Sequence, residues 1–132
     1  LNPTPTLWLR RPRWPAALLI LLGTAGCGIG AKPSDPTDGR NAIVTVLDAW
    51  KAGEKPEALA QRSPSIHVAD SDWKSGLTLQ GYDANGEGKL VGSDLNYKVV
   101  LELKDARGKV VKKEATYAVT THPQLLVMRQ DD

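Results

Sequence analysis

From Leu95 to Lys104 the chain alternates without a break: Leu95, Tyr97, Val99, Leu101 and Leu103 share one parity, and Asn96, Lys98, Val100, Glu102 and Lys104 the other. Successive side chains of a strand point to opposite faces, so a period of two with one apolar set specifies a strand buried on one side. After Asp105-Ala106-Arg107-Gly108, a composition suited to a tight turn, the alternation resumes as Val111, Ala115, Tyr117 and Val119. The pattern predicts an antiparallel hairpin with one apolar face that another layer must cover. Only 5% of the 132 residues are aromatic and none is Phe, so that covered core rests mainly on Val, Leu, Ile and Ala.

The covering layer precedes the hairpin. Asp35 is a suitable N-cap, because its carboxylate accepts from the orphan amides of a first helical turn, and Pro36 fits the first helical position. Ile43, Val46, Leu47 and Trp50 follow at steps of three and four, which places them on one helix face, and Gly53 supplies a left-handed stop. A shorter helix is expected from Pro56 to Arg62, burying Leu59 and ended by Ser63-Pro64. Weaker strands are expected at 77–82 and, after His122-Pro123, at 125–129; residues 66–68 suit an edge strand, and 70–75 one helical turn stopped by Gly76. Trp50 and Trp73 read as packing residues rather than sugar-stacking platforms.

Helices followed by three to five antiparallel strands predict an α+β domain over residues 35–132, with a curved sheet wrapping the helix that starts at Asp35. This order of elements resembles the cystatin-like group, including the nuclear-transport-factor-like domains. The resemblance covers about 90 residues of topology and carries no motif; such a fold hosts enzymes, binders and adaptors alike.

Residues 1–26 have a different character. Arg10, Arg11 and Arg13 precede an apolar run from Ala16 to Leu22, and small residues lead to Cys27. This is the layout of an export signal, and the apolar stretch is too short to span a bilayer core of about 30 Å. Its end, Thr24-Ala25-Gly26-Cys27, resembles the lipobox of bacterial lipoproteins, with Thr24 where an aliphatic residue is usual. The resemblance implies that Cys27 becomes the mature first residue, thioether-linked to diacylglycerol and often acylated on its amine. Residues 27–34 would then tether the domain to the membrane, and the absence of Asp at Gly28 points toward an outer-membrane or periplasm-facing address. Cys27 is the only cysteine, so an exported domain has no disulfide and depends on its core.

Charge narrows the partners. Three of the 17 basic residues lie before Cys27, leaving 14 against 15 acidic ones in the remainder. A near-neutral chain lacks the basic field that recruits nucleic acid. Lys98, Lys104, Arg107, Lys109, Lys112 and Lys113 gather around the hairpin turn and could meet anionic lipid or cell-wall polymer, although Glu102, Asp105 and Glu114 interrupt them.

Two segments carry the candidate chemistry. Residues 83–94 resemble an EF-hand calcium loop, with oxygen donors Asp83, Asn85, Glu87 and Asp94 at positions 1, 3, 5 and 12 and Gly88 at the turn. Strand-like flanks leave a polar glycine-rich connection as the other reading. His67 with Asp70 could form a base and its orienting carboxylate, with Tyr82 or Tyr97 near the mouth of a concave pocket; Asp70 is equally suited to N-cap the turn holding Trp73, and the parity of His67 turns it toward solvent. No zinc-ligand spacing, nucleophile elbow, phosphate loop or cofactor motif is present in the sequence. The expectation is a small lipid-anchored cell-envelope protein with a non-enzymatic binding or scaffolding domain. The alternatives are a small-ligand binder or enzyme on the concave face, and a calcium-stabilised domain.

Overall fold

The computed structural model describes residues 32–130. The signal-like segment, Cys27 and most of the 27–34 tether lie outside the described residues. Ser34, expected within the tether, belongs to the fold: it is buried, its N–H donates to Ser93 O at 2.8 Å, and its Oγ accepts from Thr121 N at 2.9 Å.

Helix α1 spans Pro36–Lys51. Asp35 Oδ1 accepts from Thr37 N at 2.8 Å and Asp38 N at 2.9 Å, which meets two of the orphan donors of the first turn. At the other end Gly53, with φ +87°, donates to Trp50 O and Glu54 donates to Ala49 O, the paired bonds of a Schellman ending. Two short helices follow, α2 (Pro56–Ala60) and α3 (Ser71–Lys74), the latter capped by Asp70. Among the described residues no helix is long and apolar enough to cross a membrane.

Six strands form the sheet: β1 (Ile66–Ala69), β2 (Thr78–Asp83), β3 (Lys89–Val91), β4 (Asp94–Lys104), β5 (Val110–Thr120) and β6 (Leu125–Arg129). The order is β1-β6-β5-β4-β2, with β3 also paired to β4. In the long hairpin Leu95 faces Val119, Tyr97 faces Tyr117, Val99 faces Ala115 and Leu103 faces Val111, so the two apolar parities share one face. A bulge between Leu79 and Gly81 shifts the register of β2 and brings Tyr82 opposite Leu101.

The domain is α+β, with helices packed against a curled sheet, but the sheet is mixed rather than wholly antiparallel. Strand β1 runs parallel to β6, with Ile66 opposite Leu125 and Val68 opposite Val127. The crossover from β1 to β6 contains the rest of the sheet, so no local signal marks that pairing. The sixth strand, β3, comes from the segment with calcium-loop spacing.

Helix α1 lies on the inner face of the sheet. Ala42, Ile43, Val46, Leu47 and Trp50 join Leu59, Leu79, Leu95, Val99, Leu101, Val119 and Val127 in one core. Trp50 and Trp73 stack with centroids 5.4 Å apart, and their indole N–H groups donate to Leu77 O and Glu54 O. Val111 shares the inner parity yet is exposed, because it sits near the hairpin tip.

Candidate functional site

Asp70 ends β1 and starts α3, and its carboxylate is fully used. Oδ1 accepts from Asp72 N at 2.9 Å and Trp73 N at 3.1 Å, closing the helix cap, and also receives Arg129 Nη1 at 3.1 Å. Oδ2 accepts from the Tyr117 hydroxyl. Arg129 reaches Asp72 Oδ2 through Nη2 at 3.0 Å, where Lys113 Nζ also arrives at 2.9 Å. The guanidinium lies 5.7 Å from the centre of the Tyr117 ring. A fully buried cation is tolerable only beside a paired carboxylate and with its donors satisfied, and this cluster supplies both.

The electrostatics follow from those contacts. Burial pushes the Tyr117 phenol upward, and the adjacent Asp70 charge and hydrogen bond push it in the same direction. At Asp72 burial opposes the charged form, but the hydrogen bonds and charges of Lys113 and Arg129 together hold the carboxyl below its ordinary 3.8. The network therefore makes Asp70 and Asp72 structural anchors for the β1–α3 corner, with the ionised form of Asp72 favoured.

His67 does not join it. Its side chain is exposed on the outer face of β1, and among the described residues no hydrogen bond connects it to Asp70. The two residues predicted as base and orienting carboxylate are thus not brought together. The partners Asp70 does have are Tyr117 and Arg129, 47 and 59 positions away. One signal for Arg129 was present in the chain: it shares parity with Leu125 and Val127, so a strand burying those two also turns a guanidinium inward.

The 83–94 segment is a hairpin. Lys89, Leu90 and Val91 pair with Asn96, Leu95 and Asp94 across a two-residue turn, with Gly92 at φ +65°. Asp83 Oδ1 accepts from Asn85 N, and Asp94 Oδ1 accepts from Thr120 Oγ1 at 2.9 Å. Among the described residues no group of three or more His, Cys, Asp or Glu is placed to hold a metal ion, so Asp83, Glu87 and Asp94 form no such cage. The extended backbone of β3 carries the later loop positions away instead of wrapping them round one centre. Gly88 serves a different purpose: a Cβ there would sit 2.6 Å from Tyr97 Cζ. Arg40 holds this loop over the ring by donating to Ala84 O and Gly86 O, with its guanidinium carbon 5.3 Å from the centre of the Tyr97 ring.

Tyr97 itself is 2% exposed, so it is a core residue and not a pocket mouth. Burial raises its phenol pKa, an effect that Arg40 opposes and Asp35 reinforces. Tyr82 lies at the helix edge and donates to Asp48 Oδ1 at 2.6 Å; burial and that carboxylate push its pKa up to about 12. It lines a polar cleft with Arg40, Asp48, Lys51 and Asn85.

A wider groove, about 780 Å³, runs between the first half of α1 and the loops before β1 and β6. Ala42, Ile66, Pro64 and Leu125 give it apolar walls, Asn41, Thr45, Ser65 and Gln124 contribute neutral polar groups, and Asp38 and Arg62 add one charge of each sign. Such a lining can hold a peptide or a small polar molecule by shape, hydrogen bonds and charge.

The basic residues of the β4–β5 hairpin do not form a continuous field. Lys113 pairs with Asp72, Lys112 stands opposite Glu102, and Asp105 Oδ1 ties down the turn by accepting from the Arg107 and Lys109 amides. Comparison of the chain with protein-family models, with curated proteins and with solved structures finds no match.

Proposed function

We propose that this chain is a small cell-envelope lipoprotein, anchored through a diacylglycerol thioether at Cys27, whose folded domain binds or scaffolds other envelope components without catalysing a reaction. The observation that carries the non-catalytic part is the placement of α1. Its aliphatic face occupies the concave side of the sheet, the place in such a curved sheet where a reaction chamber would have to open, and Tyr97 and Tyr117 are buried in the packing there. The polar cluster nearest to a catalytic constellation is spent on capping and charge pairing. The anchoring part rests on Thr24-Ala25-Gly26-Cys27 and the basic and apolar segments before it.

The test is membrane fractionation of the full chain and its Cys27→Ser variant, with mass spectrometry of the mature amino terminus. A diacylglyceryl mass at Cys27, together with release of the variant from the membrane, is the expected result. A bare thiol or an unreleased variant overturns the reading.

A second reading is favoured by the 780 Å³ groove: a small ligand carried at the rim of the sheet instead of inside its curve. Native mass spectrometry of the gently purified protein would show a bound organic molecule if so; a protein mass without one removes this alternative.

A further inference from the structure

The described chain enters the domain at the β3–β4 hairpin. Ser34 N donates to Ser93 O at 2.8 Å in the hairpin turn, and Ser34 Oγ is held by Thr121 N at 2.9 Å. Beside that entry point Leu90 and Val91 are 52% and 54% exposed, two adjacent aliphatic residues on the shortest strand of the sheet. Exposed Lys89 precedes them and exposed Lys32 precedes the anchored Ser34. The hairpin carboxylate, Asp94, is engaged by the Thr120 hydroxyl.

We infer that this hairpin tip is a second membrane contact, with Leu90 and Val91 seated at the headgroup–acyl boundary of the bilayer that holds Cys27. The inference rests on the lipid-anchored reading above. Cys27 lies seven residues before Ser34, at most ~25 Å of fully extended chain. Strand β4 has 11 residues, about 34 Å from end to end. The other exposed aliphatic pair, Val110 and Val111, sits at the far end of β4, opposite Lys104 and Leu103. A tether shorter than that strand cannot stand the domain on its far end, whereas the Leu90–Val91 end is adjacent to the point where the tether is fastened.

The chemistry suits a lipid surface. Aliphatic side chains gain by leaving water, and lysines beside them extend apolar stems into the interface while their ammonium groups meet phosphate. The two chains of the diacylglycerol already give stable attachment, so the added contact serves to fix the orientation of the domain. A domain held this way presents one constant side to its partners, instead of tumbling on its leash.

The experiment uses the full lipidated protein. Cys27 is the only natural cysteine and its sulfur is consumed by the lipid, so Leu90→Cys and, separately, Val110→Cys each offer one thiol for an environment-sensitive fluorophore. Each labelled protein is reconstituted in phosphatidylethanolamine–phosphatidylglycerol vesicles containing lipids spin-labelled at shallow depth. Quenching at position 90 is expected to exceed that at position 110 severalfold, and Val91→Asp in the Leu90→Cys background is expected to reduce it. Equal quenching at the two sites, or a position-90 label shielded from water but untouched by the lipid quencher, overturns the hairpin contact while leaving the anchor intact. Absence of lipid on Cys27 by mass spectrometry removes the anchor itself and the inference with it.

Discussion

Arg129 Nη1 lies 3.1 Å from Asp70 Oδ1, and neither side chain has more than 1% of its surface in solvent. This pair joins the last strand to the corner between β1 and α3. Removing Arg129 leaves the buried Asp70 carboxylate without its cation, which costs about 3–5 kcal/mol, whereas removing the Asp70 charge leaves Arg129 a second carboxylate, Asp72 at 3.0 Å. Asp70→Asn retains a cap acceptor for α3, so it isolates the charge pair from the cap. We expect Arg129→Met to lower unfolding free energy by about that amount, a large share of a typical ~5–15 kcal/mol, and Asp70→Asn to cost less because Asp72 still pairs with Arg129. The double variant should lose less than the sum, as urea denaturation would show.

Acid should attack the same corner. The Asp72 carboxyl is held below 3.8, so its contribution to stability is fully present above that value and is lost as pH falls through the lower folded-state pKa. Lys113→Met removes one of the groups that lowers it. Acid unfolding of this variant, followed by circular dichroism, should therefore begin at a higher pH than in the parent protein. An unchanged acid midpoint would show that Arg129 alone sets the carboxyl.

All three tyrosines have phenols raised above their ordinary 10.0, Tyr82 to about 12. A raised phenol contributes stability that is complete below pH 10 and is lost as pH climbs through the folded-state value. An ultraviolet titration should show no phenolate step at the free-tyrosine position, then ionisation together with base unfolding. One tyrosine titrating near 10 would contradict the burial of Tyr97 or the Tyr82–Asp48 hydrogen bond.

Gly88 and Gly86 offer a matched pair. A methyl at position 88 would press on the buried Tyr97 ring, whereas at position 86 its nearest neighbour would be Lys98 O at 3.8 Å. Gly88→Ala should cost about 1–3 kcal/mol by overpacking, and Gly86→Ala should stay within about 0.5 kcal/mol. Thermal melts of the two variants side by side provide the check.

The long hairpin, the caps of α1 and the turn of α3 were legible because their signals are local: parity within nine residues, an Asp before a Pro, a Gly after the last apolar step. The β1–β6 pairing was not, since contact between Ile66 and Leu125 depends on everything folded between them. Lys89–Val91 is too short to show alternation, and the glycines and oxygen donors around it suggest a cation before they suggest a strand. The candidate site was half legible. Asp70 was visible as a cap, but its charge partner became visible only when the end of β6 was laid beside the start of α3.

The position of β6 has a consequence for the order in which the fold closes. Among the described residues it is the last strand in chain order, yet it occupies an interior place between β1 and β5. Until Leu125–Arg129 docks, β1 lacks the one sheet neighbour it has among the described residues and Asp70 lacks its guanidinium. Before that point a folding chain can make helices and a meander but cannot close, so commitment to the native state waits for this strand to dock.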